Sequence, residues 1–428
     1  MNKRSALDSV FSRRVKEFVL AGFKRPVRQR KPRGSGSPLW VRLNGLGSEL
    51  WLDSGDIDSL SRVWMANFSA VTTNNTLLNR EVQKGTYDAF IASASELLDE
   101  WPELDEKTRR LELAFMLNAK HALKLVETFD AHVSVEEHTD LAADVDAAVY
   151  YGQRLYAICP ERFYIKVPFC PAGLLAARRL GMAGVPVNVT LGFSARQAHV
   201  ATRLARPRFV NVFLGRLGSF TLENAFGSGD YVGERATLAA QAVVRRLREE
   251  DGVDTRLIAA SFRTAAQVRN LAGVDVLTIP PDVAESFQRQ DLRAQDVFNR
   301  TAEPYEPVIE GNLEKTGFDT LWEVDERVEQ CVDRLLQEDL NTMPAAALIR
   351  FFNRNGCGDV LVDWSAEQRE QIREDGKIPR FDRWRDDLET RRIGLDSLMN
   401  AAGLAVFGAD QEAMDRRIES VLPASAHA

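Results

Sequence analysis

Lys166 follows the run Phe163-Tyr164-Ile165 and is followed by Val167 and Pro168, so its amine sits on an apolar, extended segment rather than among other charges. A lysine becomes a nucleophile near neutral pH only when its pKa falls from about 10.4, and desolvation among apolar neighbours has that effect. An amine that attacks a carbonyl then needs protons moved at every stage, from carbinolamine through dehydration to carbon–carbon cleavage. Side-chain carboxylates move them. Asp53 ends the run Glu49–Asp53 and Glu136 ends His132–Glu136, which places both carboxylates at segment ends. Thr190 could hold a water against Glu136. Arg216 and Arg263, with the Ser261 hydroxyl, could clamp a phosphate through charge-assisted bidentate bonds. No His or Cys cluster has the spacing of a metal site, so the chemistry is expected to run without a metal or other cofactor.

Taken singly, each of these residues has an ordinary explanation. A lysine at a strand end snorkels to solvent, Asp53 in Asp53-Ser54-Gly55-Asp56 forms a turn or caps a helix, and Asn74 makes an Asx turn. Glu136 and Glu137 would be a strand-end charge pair, Arg216 and Arg263 surface ion-pair formers, and Ser261 an N-cap. Convergence decides against all of these together, and it comes from the elements that carry the residues. Short β-branched runs alternate with longer helical patterns from about residue 50 to residue 281, the signature of parallel βα units. The expected strands are Glu49–Asp53, Ala70–Asn74, His132–Glu136, Phe163–Pro168, Val187–Phe193, Phe209–Leu214, Arg256–Phe262 and Val276–Ile279. Amphipathic stretches lie between them, among them Ala172–Ala183 and Ala195–Ala205, the latter opened by Ser194 as N-cap. Eight strand–helix repeats without a GxGxxG after the first strand favour a closed barrel over an open nucleotide-binding sheet.

Side chains two apart share one face of a strand. Asp53, Asn74 and Glu136 end the first three strands, and Lys166 follows Phe163-Tyr164-Ile165 on the fourth. Asn188 and Thr190 share a face on the fifth, Asn211 and Phe213 on the sixth with Arg216 just beyond, and Ser261 and Arg263 on the seventh. Seven consecutive strands deliver a polar group to one rim, the C-terminal rim where such barrels place catalytic groups.

The rest of the chain bounds the function. The fold class is α/β, a single (β/α)8 TIM barrel with a basic N-terminal extension over residues 1–40 and additional C-terminal helices. The barrel domain runs over 41–428 and includes a helical insertion near 320–390, in which Leu340–Arg380 carries helix starts at Asn341 or Thr342 and at Ser365 and a stop at Gly356. A hydrophobic fraction of 45% across 428 residues fills a sizeable core. No apolar run is long enough to span a membrane. The net charge of −7, with the first forty residues strongly basic and the remainder correspondingly more acidic, suits a metabolic enzyme better than a nucleic-acid binder. The arm, ending in Gly34-Ser35-Gly36-Ser37-Pro38, reads as a solvated or partner-docking extension. Cys159, Cys170, Cys331 and Cys357 have neither metal nor disulfide-framework spacing, which points to a reducing cytoplasm.

The strings that carry these residues resemble the transaldolases of the pentose phosphate pathway from about residue 48 to the C-terminus. Asp53-Ser54-Gly55-Asp56-Ile57, Thr72-Thr73-Asn74 and Ser134-Val135-Glu136 are similar to the family's first three strand motifs. Tyr164-Ile165-Lys166-Val167-Pro168 resembles the active-site lysine strand, and Val187-Asn188-Val189-Thr190-Leu191-Gly192-Phe193-Ser194 its successor. Phe213-Leu214-Gly215-Arg216, Ala260-Ser261-Phe262-Arg263 and the tail Phe407-Gly408-Ala409-Asp410-Gln411-Glu412 continue the match. The resemblance implies Lys166 as the Schiff base, Asp53 and Glu136 as proton carriers, and Thr190 as the residue positioning the catalytic water. It implies Asn74 and Asn188 as ligands of substrate hydroxyls or orienters of the lysine, and Arg216, Ser261 and Arg263 as the phosphate site. Related fructose-6-phosphate aldolases carry tyrosine at Phe213 and glutamine at Glu136, so this chain sides with transfer over simple cleavage. It departs from the family at Asn75, where proline is usual, and at Asn211, where serine touches the donor.

The implied reaction moves a dihydroxyacetone unit from sedoheptulose 7-phosphate or fructose 6-phosphate to glyceraldehyde 3-phosphate or erythrose 4-phosphate. The alternatives are a Schiff-base aldolase releasing free dihydroxyacetone and a non-catalytic barrel acting as a binding module. The expected partners are sugar phosphates, with no nucleic acid and no membrane, and a homodimer stays open.

Overall fold

The computed structural model describes residues 4–26 and 37–422. Eight strands, β1 (Glu49–Asp53), β2 (Phe68–Thr72), β3 (His132–Glu136), β4 (Phe163–Pro168), β5 (Val187–Thr190), β6 (Phe209–Phe213), β7 (Arg256–Ala260) and β8 (Val276–Ile279), pair in parallel in chain order. β8 pairs back onto β1, so the barrel closes and no strand edge is left open. The outward-pointing residues, among them Leu50, Leu52, Val133, Val135, Ile165, Val167, Leu257 and Leu277, are buried under the surrounding helices. Each such side chain stabilises the fold by about 1.5–3 kcal/mol.

The inward face is layered. Its lower part is filled by aromatic rings: Trp51 stacks on Tyr164 at 5.6 Å and meets Phe209 edge-on at 4.8 Å, while His132 stacks on Tyr164 at 5.0 Å. Two residues further along the same strands come Asp53, Ser134, Lys166 and Asn211, so the polar half of the barrel rests on an apolar floor. The register sets Glu136 opposite Lys166 and Lys166 opposite Asn188, one row across three strands.

Several strands end earlier than the sequence pattern predicts, for local reasons. Asn74 leaves the sheet because its side chain caps the next helix, accepting from the Leu77 amide at 2.8 Å. β5 stops where Leu191 turns to φ +62°, and β7 where Ser261 turns to φ +67°. Strand alternation therefore does not bring Ser261 and Arg263 to the same place; a left-handed turn does.

The N-terminal helix Arg4–Leu20 corrects the expectation of a solvated or partner-docking arm. Phe11, Val15 and Val19, four residues apart, form a buried stripe, and the helix packs on the helices Glu106–Phe129 and Val145–Ile158. Arg13 and Arg14 on the same helix are exposed, and composition alone could not separate them from the stripe. The basic residues Arg28, Arg30, Lys31 and Arg33 and the linker glycines Gly34 and Gly36 lie outside the described residues.

Beyond the barrel the described chain is helical, ending in the long helix Leu395–Val421. The expected helix start at Ser365 is a full capping box, and the chain turns at Gly356 (φ +72°); the start expected at Asn341 or Thr342 falls instead at Ala345, after Pro344. These helices are tied to the barrel by Arg196, on the helix Ala195–Ala205 that Ser194 caps. Its guanidinium, fully buried, meets Asp359 at 2.6 Å and Asp396 at 2.6 and 2.8 Å. No helix among the described residues is long and apolar enough to cross a membrane.

Candidate active site

At the C-terminal rim an open cleft of about 770 Å³ is lined by Asp53, Asn74, Lys166, Asn188, Asn211, Phe213, Arg216, Ser261 and Arg263 among others. Lys166 lies at its floor and is 3% exposed. Its Nζ donates to the Thr73 carbonyl at 2.9 Å and lies 3.3 Å from Glu136 Oε2. Burial raises the Glu136 carboxyl above its ordinary range against the opposing pull of Lys166, and Asp53 adds to the rise. Asp53 is raised in the same way by burial, against Lys166 and a 2.7 Å bond from the Thr72 hydroxyl. Thr72 in turn shares a 2.8 Å bond with Thr278 of β8. The amine thus shares its surroundings with two buried carboxyl groups, each raised above its ordinary range, and groups of that kind exchange protons in either direction.

The other end of the cleft is cationic. Gly215 lets the helix Leu214–Glu223 start hard against β7, since a Cβ there would lie 2.1 Å from the Ser261 carbonyl oxygen. That contact sets Arg216 beside Ser261 and Arg263. Arg216 is 6% exposed, its Nη1 has no hydrogen-bond partner, and its guanidinium lies between the rings of Phe213 at 5.4 Å and Phe407 at 5.6 Å. Burial, then the like charge of Arg263, pushes it down to about 10, so it stays charged at neutral pH. Glu136 and Asp410 oppose that push, but no carboxylate pairs with the guanidinium among the described residues, and an incoming anion would relieve the cost of its burial. The ordinary reading of the two arginines as surface ion-pair formers fails, because neither forms an ion pair among the described residues.

A family model described as transaldolase/fructose-6-phosphate aldolase matches residues 50–353. The chain belongs to that family. It is similar to a probable transaldolase of Thermus thermophilus, 31% identical over 248 residues, covering 57% of this chain and 92% of that protein. A transaldolase of Xanthomonas euvesicatoria pv. vesicatoria is 28% identical over 244 residues, covering 56% of this chain and 74% of that protein. A probable transaldolase of Dictyostelium discoideum is 29% identical over 246 residues, with 56% and 75% covered. The chain is therefore an enzyme that transfers aldehyde or ketone groups.

Within this transaldolase-family site, the residues that depart from the family pattern do different things. Asn75 does not line the cleft: its side chain donates to Gln411 at 2.6 Å and ties the rim to the C-terminal helix. Its backbone N–H meets the Glu136 carboxyl and draws its pKa down, a donor that proline lacks. Asn211 does line the cleft, and its amide is also committed beneath it, donating to the Thr190 hydroxyl at 3.0 Å and accepting from the Gly192 amide at 3.3 Å. Thr190 is fully buried, with Asn211 as the partner of its hydroxyl. Asn188 donates to Ser134 Oγ at 3.1 Å and keeps a buried Oδ1 without a partner. Asn74 spends its Oδ1 on the helix cap, leaving its NH₂ for the cleft.

The ordinary reading of Asp53 as a cap belongs to its neighbour, since Asp56 caps the helix Ile57–Val63. Glu137 is not half of an exposed charge pair. It is buried with Oε1 unpartnered, and burial followed by the charge of Glu136 raises its carboxyl well above the ordinary 4.5. Sequence reasoning missed Thr72, Thr278, Phe407, Arg80 and Lys377. Parity contained a signal for two of them, because Thr278 is the one polar residue of β8 and Thr72 shares a face with Asn74. Phe407 opens the tail string that resembles the family but carried no assigned role, and Arg80 and Lys377 reach the cleft from a helix and from a turn between helices, where no local pattern marks them.

Proposed function

We propose that the enzyme transfers a dihydroxyacetone unit from a ketose phosphate, fructose 6-phosphate or sedoheptulose 7-phosphate, to an aldose phosphate through a Schiff base on Lys166. The observation that carries this is the buried Lys166 amine, 3.3 Å from Glu136, facing the same cleft as the partnerless Arg216. In this reading the amine adds to the ketose carbonyl, and Glu136 supplies the proton with which the carbinolamine oxygen leaves as water. Asp53 takes the proton of the hydroxyl on the far side of the bond to be broken. That bond then cleaves, the aldose leaves, and its electron pair remains as an enamine on Lys166. The acceptor aldehyde enters, the enamine carbon attacks it, and the same proton transfers run in reverse. Arg216, Ser261 and Arg263 hold the phosphate, Asn74 and Asn188 meet hydroxyls, and Thr190, shared with Asn211, stands beside the water that hydrolyses the imine. Phe213 brings no hydroxyl to the cleft, which favours transfer over release of free dihydroxyacetone. The four cysteines are free and buried, in keeping with a reducing cytoplasm.

Borohydride reduction in the presence of fructose 6-phosphate, followed by peptide mapping, tests the assignment. The adduct is expected on Lys166 and absent from Lys166→Met. Labelling of any other lysine, or none, overturns it. Product analysis with and without glyceraldehyde 3-phosphate separates transfer from release, because a transferase turns over only with the acceptor present.

A further inference from the structure

The helical segment beyond the barrel sends one charged side chain into the cleft. Lys377 follows Gly376, which closes the helix Ala366–Asp375 in a left-handed conformation at φ +73°, and it lines the cleft with Arg216, Ser261 and Arg263. The short turn that carries it is pinned on both sides. Asp375 accepts from the Arg380 amide at 3.2 Å and from Trp384 Nε1 at 2.7 Å. Asn224 donates to the Pro379 carbonyl at 3.0 Å and accepts from the Phe381 amide at 2.7 Å. Asn224 closes the helix Leu214–Glu223 whose first turn bears Arg216, so the turn is fastened to the element that positions the arginine. Neither Lys377 nor the two arginines forms an ion pair among the described residues. Elsewhere in this chain arginines lie against carboxylates, as Arg196, Arg327 and Arg383 do.

We propose that Lys377 binds the phosphate of the sugar phosphate substrate, so that the segment beyond the barrel completes the anion subsite of Arg216, Ser261 and Arg263. This rests on the reading of the cleft as a sugar-phosphate site and extends it to a residue outside the matched span 50–353. Partial burial, then Arg263 and Arg216, pushes the Lys377 ammonium down to about 8, with Glu223 opposing and Arg80 adding to the repulsion. Its exposed flank lets water screen part of that push. Three like charges gathered with no ion-pair partner among the described residues are stabilised by a dianion.

Inorganic phosphate is the probe. Its affinity is measured by calorimetry on the full chain and by competition against fructose 6-phosphate, for wild type, Lys377→Met, Lys377→Arg and Arg263→Met. Lys377→Met is expected to weaken phosphate about tenfold and to raise KM for fructose 6-phosphate by a similar factor with kcat within about twofold. Such a loss is that of one charge-assisted bond at a partly screened site. The effect on unphosphorylated fructose should be much smaller than on fructose 6-phosphate, and Lys377→Arg should recover phosphate binding. Phosphate binding by Lys377→Met at wild-type strength, with Arg263→Met weakened, overturns the role of Lys377 and leaves the cleft reading intact. Lys377→Arg as weak as Lys377→Met also overturns it, since charge would then not be what binds. A wild type that neither binds phosphate nor prefers phosphorylated donors overturns the cleft reading itself.

Discussion

Replacing Asn211 by serine removes a side chain that faces the cleft and also braces it from below. The amide is 4% exposed; it donates to Thr190 Oγ1 at 3.0 Å and accepts from the Gly192 amide at 3.3 Å. Serine is one bond shorter and cannot reach both partners, so two buried hydrogen bonds are lost and the Gly192 N–H is left without an acceptor. At about 1 kcal/mol for each neutral bond, the variant should lose about 2 kcal/mol of stability. The cleft widens at the same time and Thr190 is released, so kcat/KM for fructose 6-phosphate and sedoheptulose 7-phosphate should change by more than about twofold, ~0.4 kcal/mol in the barrier. Urea unfolding gives the stability term, and steady-state kinetics with both donors give the other. A stability loss below about 0.5 kcal/mol would show that the two bonds are not holding the loop. Kinetic constants unmoved within about twofold would show that Asn211 does not touch the donor.

Other outcomes follow from the same geometry. Glu136→Gln keeps the shape and removes the proton carrier beside Lys166, so turnover should fall about a hundredfold or more; an unchanged kcat removes Glu136 from the mechanism. Asn75→Pro sits at the first helical position, where proline is tolerated, but it deletes the backbone donor that draws the Glu136 pKa down. The acid limb of the pH–rate profile should therefore move to higher pH, and a limb that stays in place would show that this donor does not act on Glu136. Glu137, raised well above 4.5 by burial and by Glu136, binds its proton more tightly folded than unfolded. Between those two pKa values stability falls as pH rises, so Glu137→Gln should stabilise the protein at neutral pH and leave it unchanged below about pH 4. An equal effect at both pH values would mean that packing, not titration, is responsible. Arg216→Ala should raise KM far more for phosphorylated than for unphosphorylated sugars; equal effects would make the arginine structural.

Much of the molecule is legible along the chain because its order is local. The period-2 runs of β1, β3, β4 and β8 have the bounds the pattern predicts, and parity alone puts Asp53, Glu136, Lys166 and Asn211 on the inward face of the barrel. Local hydrogen bonding explains the helix opened by Ser194 and the box at Ser365 as well. Strand ends are less legible, since Leu191 and Ser261 leave the sheet by left-handed turns that their residue types do not announce. Only the tertiary structure decides what meets across the cleft. Phe407 over Arg216, Gln411 on Asn75, Lys377 in the cleft with Arg216 and Arg196 between Asp359 and Asp396 join residues far apart in the chain, 336 positions at Asn75–Gln411. Periodicity reports which face of an element is apolar and cannot report which distant element covers it. Helix packing against the closed barrel settles that, and it turns a row of strand-end residues into a cleft with one cationic end.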